Sequence, residues 1–171
     1  VFVTNGYITP EALDTIAPVL HAANVDIKFF NDNTYRKVCG AKLQPILDTI
    51  QHYYELGIWI ELTTLVIPGY NDSDEELRAI ATFIAGLSPD IPWHVSRFHP
   101  AYKMGDVPST PPETVIRAWD IGKEAGLKFV YIGNMRARDG DVTHCPECGQ
   151  PVIERGLFGL HKNTLAAGRC P

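Results

Sequence analysis

Four short apolar runs constrain this chain most: VFVTNG, VDIKFF, IWIELTTLVIPG and WHVSRFHP, each followed by a helix-like stretch. Each run ends in polar residues. Residues 1–3 lead to Thr4 and Asn5, and Val25 and Ile27 flank Asp26 and Lys28. Residues 58–60 lead to Glu61, Thr63 and Thr64, and Arg97 and His99 lie beyond Val95. Strands alternating with helices predict an α/β fold around a parallel sheet. In open sheets and barrels of this kind, catalytic groups sit at the carboxyl ends of the strands. The pattern reads as part of an enzyme.

The helices are marked by caps and stripes. Thr9-Pro10 starts the first, with Leu13, Ile16, Ala17 and Leu20 on one face. Leu43, Ile46, Leu47, Ile50 and Tyr54 form a second stripe, and Leu77, Ile80, Ala81, Ile84 and Leu87 a third. Ser73-x-x-Glu76 and Thr110-x-x-Glu113 match the capping box, in which side chains reciprocally satisfy free backbone donors. Pro111 suits a first helical position. Gly57, Gly86 and Gly126 fall near helix ends, where a left-handed backbone suits glycine. FVYIGN supplies a further strand, so about five parallel strands and four main helices are expected, joined by right-handed crossovers. RARDGD then reads as a linker, dividing residues 1–138 from a cysteine-bearing tail at 139–171.

Fifteen basic and twenty acidic residues leave a net charge of −5. That balance gives no broad attraction to nucleic acid or anionic lipid. No apolar run approaches the roughly 18 residues of a membrane span. There is no signal peptide, and four scattered cysteines make no disulfide framework, so a cytoplasmic, reducing setting is expected. Val1 opens inside an apparent strand and the chain stops one residue after Cys170, so both ends are expected to be cut.

Asp26 and Lys28, two apart on a strand, share one face. They make either a salt-bridged strand end or a cation for a carboxylate or phosphate. Lys28 as a Schiff-base amine is a further reading, which Asp26 opposes by stabilising the ammonium. Glu61 and Thr63 share a face, and a carboxylate in an apolar strand needs a partner. The turn at residues 67–72 offers Asp72 or Ser73 as a helix cap. Arg97 and His99 share parity, whereas His94 has the opposite parity and is expected to face outward. Cys39 reads as structural. In the tail, Cys145-Pro146-Glu147-Cys148 is followed by Cys170 after 21 residues, a zinc-ribbon spacing. Three thiolates are present; the fourth is expected just past Pro171, with His144 or His161 as the substitute should the chain end there.

Taken together, TNGY, VDIKFF, VCGAK, ELTTLVIPGYND, WHVSRFHP, YIGN and CPECG resemble the radical SAM enzymes of the AmmeMemoRadiSam system, relatives of pyruvate formate-lyase activating enzyme. The resemblance covers essentially the whole chain. It implies the C-terminal part of a partial (βα)6, TIM-like barrel with a short zinc-ribbon-like tail. It also implies S-adenosylmethionine, and a [4Fe-4S] cluster that cleaves it reductively to a 5′-deoxyadenosyl radical. An electron donor such as a flavodoxin or ferredoxin, and a small-molecule or protein substrate, follow from the same likeness.

Lys28 matches the lysine that points to the S-adenosylmethionine carboxylate. Asp26 and Thr4 match positions near the cofactor, where a monovalent cation also binds, and His99 matches a histidine near the adenine. Glu61, Thr63, Arg97 and Asn134 are the substrate-side candidates. Glu61 stands where the activating enzyme has arginine, and Val3 where it has aspartate. The family's C-x-x-x-C-x-x-C cluster loop and G-G-E strand are not among these residues, so this chain alone is expected not to assemble the cluster. A Schiff-base aldolase-like barrel using Lys28, and a non-catalytic zinc-binding scaffold module, are the alternative readings.

Overall fold

A computed structural model describes residues 1–137, 139–156 and 159–171. Five strands form one parallel sheet in the order β1-β2-β3-β4-β5: Phe2–Thr4, Ala22–Asp26, Trp59–Val66, Trp93–Arg97 and Val130–Gly133. Helices α1 (Pro10–Ile16), α3 (Leu43–Glu55), α4 (Asp74–Leu87) and α5 (Pro112–Glu124) connect them. A short α2 (Asp32–Thr34), running into a π-helical turn at Tyr35–Cys39, precedes α3. Because strand order follows chain order throughout, right-handed crossovers place the helices on one face. The sheet is open, with β1 and β5 at its edges. A separate antiparallel sheet of β6 (Val142–His144), β7 (Pro151–Gly156) and β8 (Gly159–Asn163) forms the tail.

Strand parity divides the parallel sheet cleanly. Val25, Leu62, Thr64, Trp93, Val95 and Val130 are buried toward the helices. The cross-strand register places Asn24, Glu61, Thr63, His94, Ser96 and Tyr131 together on the opposite, open face. The helix stripes meet the buried side much as their spacing predicts. In α3 it is Ile46, Ile50 and Tyr53 that are buried, while Tyr54 is 45% exposed, because the inward face turns by one residue toward the helix end.

The caps differ from expectation in informative ways. Ser73 caps α4 by accepting from the Glu76 amide at 3.2 Å. The Glu76 carboxylate does not close the box; it accepts from the Phe30 amide at 2.6 Å, beyond the end of β2. Thr110 is not a cap at all, and the N-cap of α5 is Pro111, with Pro112 entering the first turn. The buried Thr110 hydroxyl instead donates to Val66 O at 2.6 Å and accepts from the Phe98 amide at 3.0 Å. Tertiary partners outbid the local ones at both sites, because the strand ends carry backbone groups that would otherwise be buried unpaired. Gly57 and Gly126 adopt positive φ as expected, whereas Gly86 lies inside the last turn of α4.

The segment expected as a linker is held against the sheet. Arg138 lies outside the described residues, but Gly140 O accepts from the Ile132 amide at 3.0 Å, along the edge of β5.

Candidate functional site

Polar groups converge where β1 and β2 end. The TNGY turn is shaped by Gly6, whose φ is +73° and whose added Cβ would meet Val25 Cγ1 at 2.8 Å. Only glycine fits both requirements. The turn thereby presents Asn5 and Tyr7 beside Lys28, which lies two residues past β2. Lys28 Nζ pairs with Asp26 Oδ2 at 2.7 Å, both side chains being about one-third exposed. A cavity of about 400 Å³ opens here, lined by Asn5, Tyr7, Lys28, Tyr35, Cys39 and Ile46 among others. That volume falls in the range of small-molecule sites. Cys39 is exposed at this wall rather than packed in the core, and partial shielding of its sulfur by neighbouring groups pushes its thiol pKa up. Burial likewise raises the Tyr35 phenol to about 12.

Other strand-end candidates have different neighbours. Thr4 lies in register with Val25 on the helix side, and its hydroxyl accepts from the Gly6 amide at 3.1 Å. Arg97 is in register with Val66, also on the helix side, and its guanidinium donates to Thr110 O at 2.7 Å. It therefore does not share the open face with Glu61. His99, two residues past β4, has its Nδ1 3.4 Å from Ser109 Oγ. Asn134 adopts a left-handed backbone at φ 61° and donates to Arg97 O at 2.9 Å, tying the ends of β4 and β5 together.

The open face carries a second constellation. His94, expected to face outward, sits on the same face as Glu61 because the two strands pair Thr63 with His94. Its Nε2 donates to Glu61 Oε2 at 2.8 Å, and its ring lies 5.3 Å from that of Tyr131. Thr63 donates to Asn24 Oδ1 at 2.8 Å on the neighbouring strand. The tail covers this region. The Tyr131 and Thr143 hydroxyls are 2.7 Å apart, and Arg155 lies 5.1 Å from the Tyr131 ring centre. Between sheet and tail is a cavity of about 730 Å³.

The hydrogen bond from His94 holds the Glu61 carboxyl below the ordinary glutamate value. A lowered pKa in the folded state means that the unfolded chain binds the proton first as pH falls. This stabilisation is therefore complete above about pH 5 and lost as pH falls through the depressed value. Urea midpoints followed from neutral pH into the acid range should fall more steeply for the unaltered protein than for Glu61→Gln. Parallel curves would refute the coupling.

The third constellation is in the tail. Cys145, Cys148 and Cys170 bring their sulfurs within 4.8 Å of one another, with Cys148 and Cys170 at 3.6 Å. A tetrahedral zinc with bonds of 2.3 Å spaces its sulfurs by about 3.8 Å. The group thus fits a single thiolate-bound metal. A [4Fe-4S] cluster places each thiolate on a different iron, farther apart, and these sulfurs do not fit it. The amides of Cys148 and Glu147 lower the Cys145 pKa, and the Cys170 thiol, hydrogen-bonded to the other two sulfurs, is pushed up to about 11. Neither candidate histidine joins the group. His144 Nε2 lies 3.9 Å from Asp139 Oδ2, and the His161 ring is packed over Gly156.

Sequence reasoning missed Asn71, Glu76 and Thr110, which bind strand-end backbone, and it placed His94 on the wrong face. For Asn71 the sequence offered only its place in a turn.

No protein-family model matches the chain. An uncharacterized protein of Methanocaldococcus jannaschii is 48% identical over 159 residues, covering 92% of this chain and 47% of that protein. The (2S)-3-sulfopropanediol sulfolyase activating enzyme of Bilophila wadsworthia is 34% identical over 83 residues, covering 47% of this chain and 28% of the enzyme. The chain thus spans less than half the length of either relative. Among solved structures, a domain of pyruvate-formate lyase-activating enzyme from Bacteroides vulgatus superposes with a TM-score of 0.68. Its identity is 19%, and the match covers 78% of this chain and 80% of that domain. A radical SAM methyltransferase from Sphaerobacter thermophilus gives 0.64 at 19% identity, covering 88% of this chain and 43% of the methyltransferase. The chain is therefore related in sequence to an activating enzyme, and its fold is one that radical SAM proteins use.

Proposed function

We propose that this chain is the C-terminal portion of a partial (βα)6 radical SAM barrel of the AmmeMemoRadiSam type. In this reading the strand-end pocket holds part of S-adenosylmethionine. The observation that carries the reading is the Lys28–Asp26 pair at the mouth of a small-molecule-sized cavity, in a fold shared with activating enzymes. Lys28 takes the cofactor's carboxylate, and Asp26 keeps the ammonium directed along the rim. Thr4 acts through the turn that presents Asn5 and Tyr7, and His99 flanks the far side from the end of β4. Bound and reduced, S-adenosylmethionine supplies a 5′-deoxyadenosyl radical. The open face, with Glu61, Thr63 and His94, lies on the substrate side, and Arg97 and Asn134 brace the strand ends around it.

The C-x-x-x-C-x-x-C loop that this reading requires for the cluster is not among these residues. The tail cysteines take one zinc ion. An electron donor of the flavodoxin or ferredoxin kind and a cytoplasmic setting complete the proposal. No helix among the described residues is long and apolar enough to cross a membrane. The Schiff-base alternative is disfavoured by the 2.7 Å ion pair, which engages Lys28 as a charged group.

The test is anaerobic. The cluster-loaded protein that contains this chain should form 5′-deoxyadenosine from S-adenosylmethionine with dithionite. The 171 residues alone, reconstituted with iron and sulfide, should form none. Product from the isolated chain, or none from the loaded protein, would overturn the proposal.

A further inference from the structure

Past the end of β2 the chain leaves the sheet, and residues 28–30 must satisfy their backbone groups without a neighbouring strand. Side chains from three other places do so. The Lys28 amide donates to the Tyr35 hydroxyl at 3.3 Å, and the Phe30 amide donates to Glu76 Oε1 at 2.6 Å. The Lys28 carbonyl accepts from Asn71 Nδ2 at 2.6 Å, across 43 residues of sequence.

Asn71 is 1% exposed and uses its whole amide. Its Oδ1 accepts from the Ile67 amide at 2.6 Å, which closes the turn after β3. Its Nδ2 divides two protons between Leu65 O at 2.9 Å and Lys28 O. The turn needs the first of these bonds. The bond to Lys28 goes beyond the turn and fixes the neighbouring strand's extension to it.

Lysine is a point charge on a flexible stem, so the place from which it projects is set by the two peptides that flank it. The peptide before Lys28 is held at its amide by Tyr35 and the peptide after it at its carbonyl by Asn71, while Asp26 holds the ammonium. We infer that Asn71 is a positioning residue for Lys28, and that anion binding at the strand-end cavity depends on it. This rests on the reading that Lys28 binds the S-adenosylmethionine carboxylate. Without Asn71 the Lys28 carbonyl loses its buried donor, the peptide is free to rotate, and the ammonium must be ordered at the moment of binding. Ordering a group on binding subtracts from affinity.

The inference is tested by a double-mutant cycle in the cluster-loaded protein, reading S-adenosylmethionine affinity by equilibrium dialysis, with thermal melting to establish folding. Lys28→Met should weaken binding at least about ten-fold, and Asn71→Ala about five- to ten-fold. The double variant should bind no more weakly than Lys28→Met alone, since residues acting through one contact are non-additive. A purely structural Asn71 would instead add its full loss in the Lys28→Met background, which overturns the inference. So does a folded Asn71→Ala that binds within about two-fold of the unaltered protein. If Lys28→Met itself has no effect, the reading of Lys28 fails and the inference falls with it. If Lys28→Met weakens binding and Asn71→Ala does not, the inference alone fails. Should Asn71→Ala not fold, Asn71→Asp is judged by the same criteria. It keeps an acceptor for the Ile67 amide and removes the donor to Lys28.

Discussion

Stripping metal from the tail, or replacing Cys148 with serine, is expected to melt the three-stranded sheet while the five-stranded sheet stays folded. Among its described residues the tail has almost no apolar core of its own. Cys145 and Val152 are its only buried apolar residues among those described, and every residue of β8 is exposed. A segment that buries so little cannot offset the entropy of ordering its backbone. What joins its pieces is the thiolate group, which links the turn after β6 to the end of the chain. Structural zinc in small domains supplies about 10–16 kcal/mol of apparent binding free energy, and there it is folding free energy. Metal analysis should give one zinc per chain. Amide exchange should show β6, β7 and β8 losing protection on chelation, with Val25, Leu62 and Val95 unaffected. A tail that remains protected without metal would show that its contacts with Tyr131 and Ile132 suffice.

Trp93→Ala is expected to cost about 3–5 kcal/mol, the range for truncating a large buried aromatic. Trp93 is fully buried, and its indole donates to Thr64 Oγ1 at 3.0 Å. Thr64 in turn donates to Ile27 O at 2.9 Å, so the ring anchors a line of bonds from β4 to the end of β2. Its far edge lies against α5 at Gly122, where an added Cβ would approach the ring to 3.0 Å. Truncation opens a cavity between sheet and helix that the backbone cannot close. For a chain of this size the melting temperature should drop by roughly 10 °C. A drop of under about 3 °C would mean that the site repacks.

Most of the architecture was legible because period and punctuation agree. Five apolar runs became five strands in chain order, and the stripe of α4 is buried at Leu77, Ile80, Ala81 and Ile84 as spaced. The tail cysteines were legible because their spacing reflects one shared ligand geometry. What escaped depends on contacts made far along the chain. Parity counted back from His99 fails because that residue lies past β4, where the pleat no longer sets direction. His94 and Arg97 were accordingly assigned to the wrong faces. The pattern Ser/Thr-x-x-Glu is the same whether it closes on itself or reaches another strand. Only the position of Phe30 and Val66 decides that Glu76 and Thr110 do the latter. Asn71 carries no local signature beyond a turn, since two of its partners are the carbonyls of Lys28 and Leu65.

In the proposed reading the cofactor sits at the end of β2, and not in the larger cavity under the tail. Hydrogen–deuterium exchange of the cluster-loaded protein, with and without S-adenosylmethionine, tests this most directly. Cofactor-dependent protection is expected at residues 5–7, 28–41 and 67–71, with residues 141–156 unchanged. Protection confined to the tail and to the strands around Glu61 and His94 would contradict it.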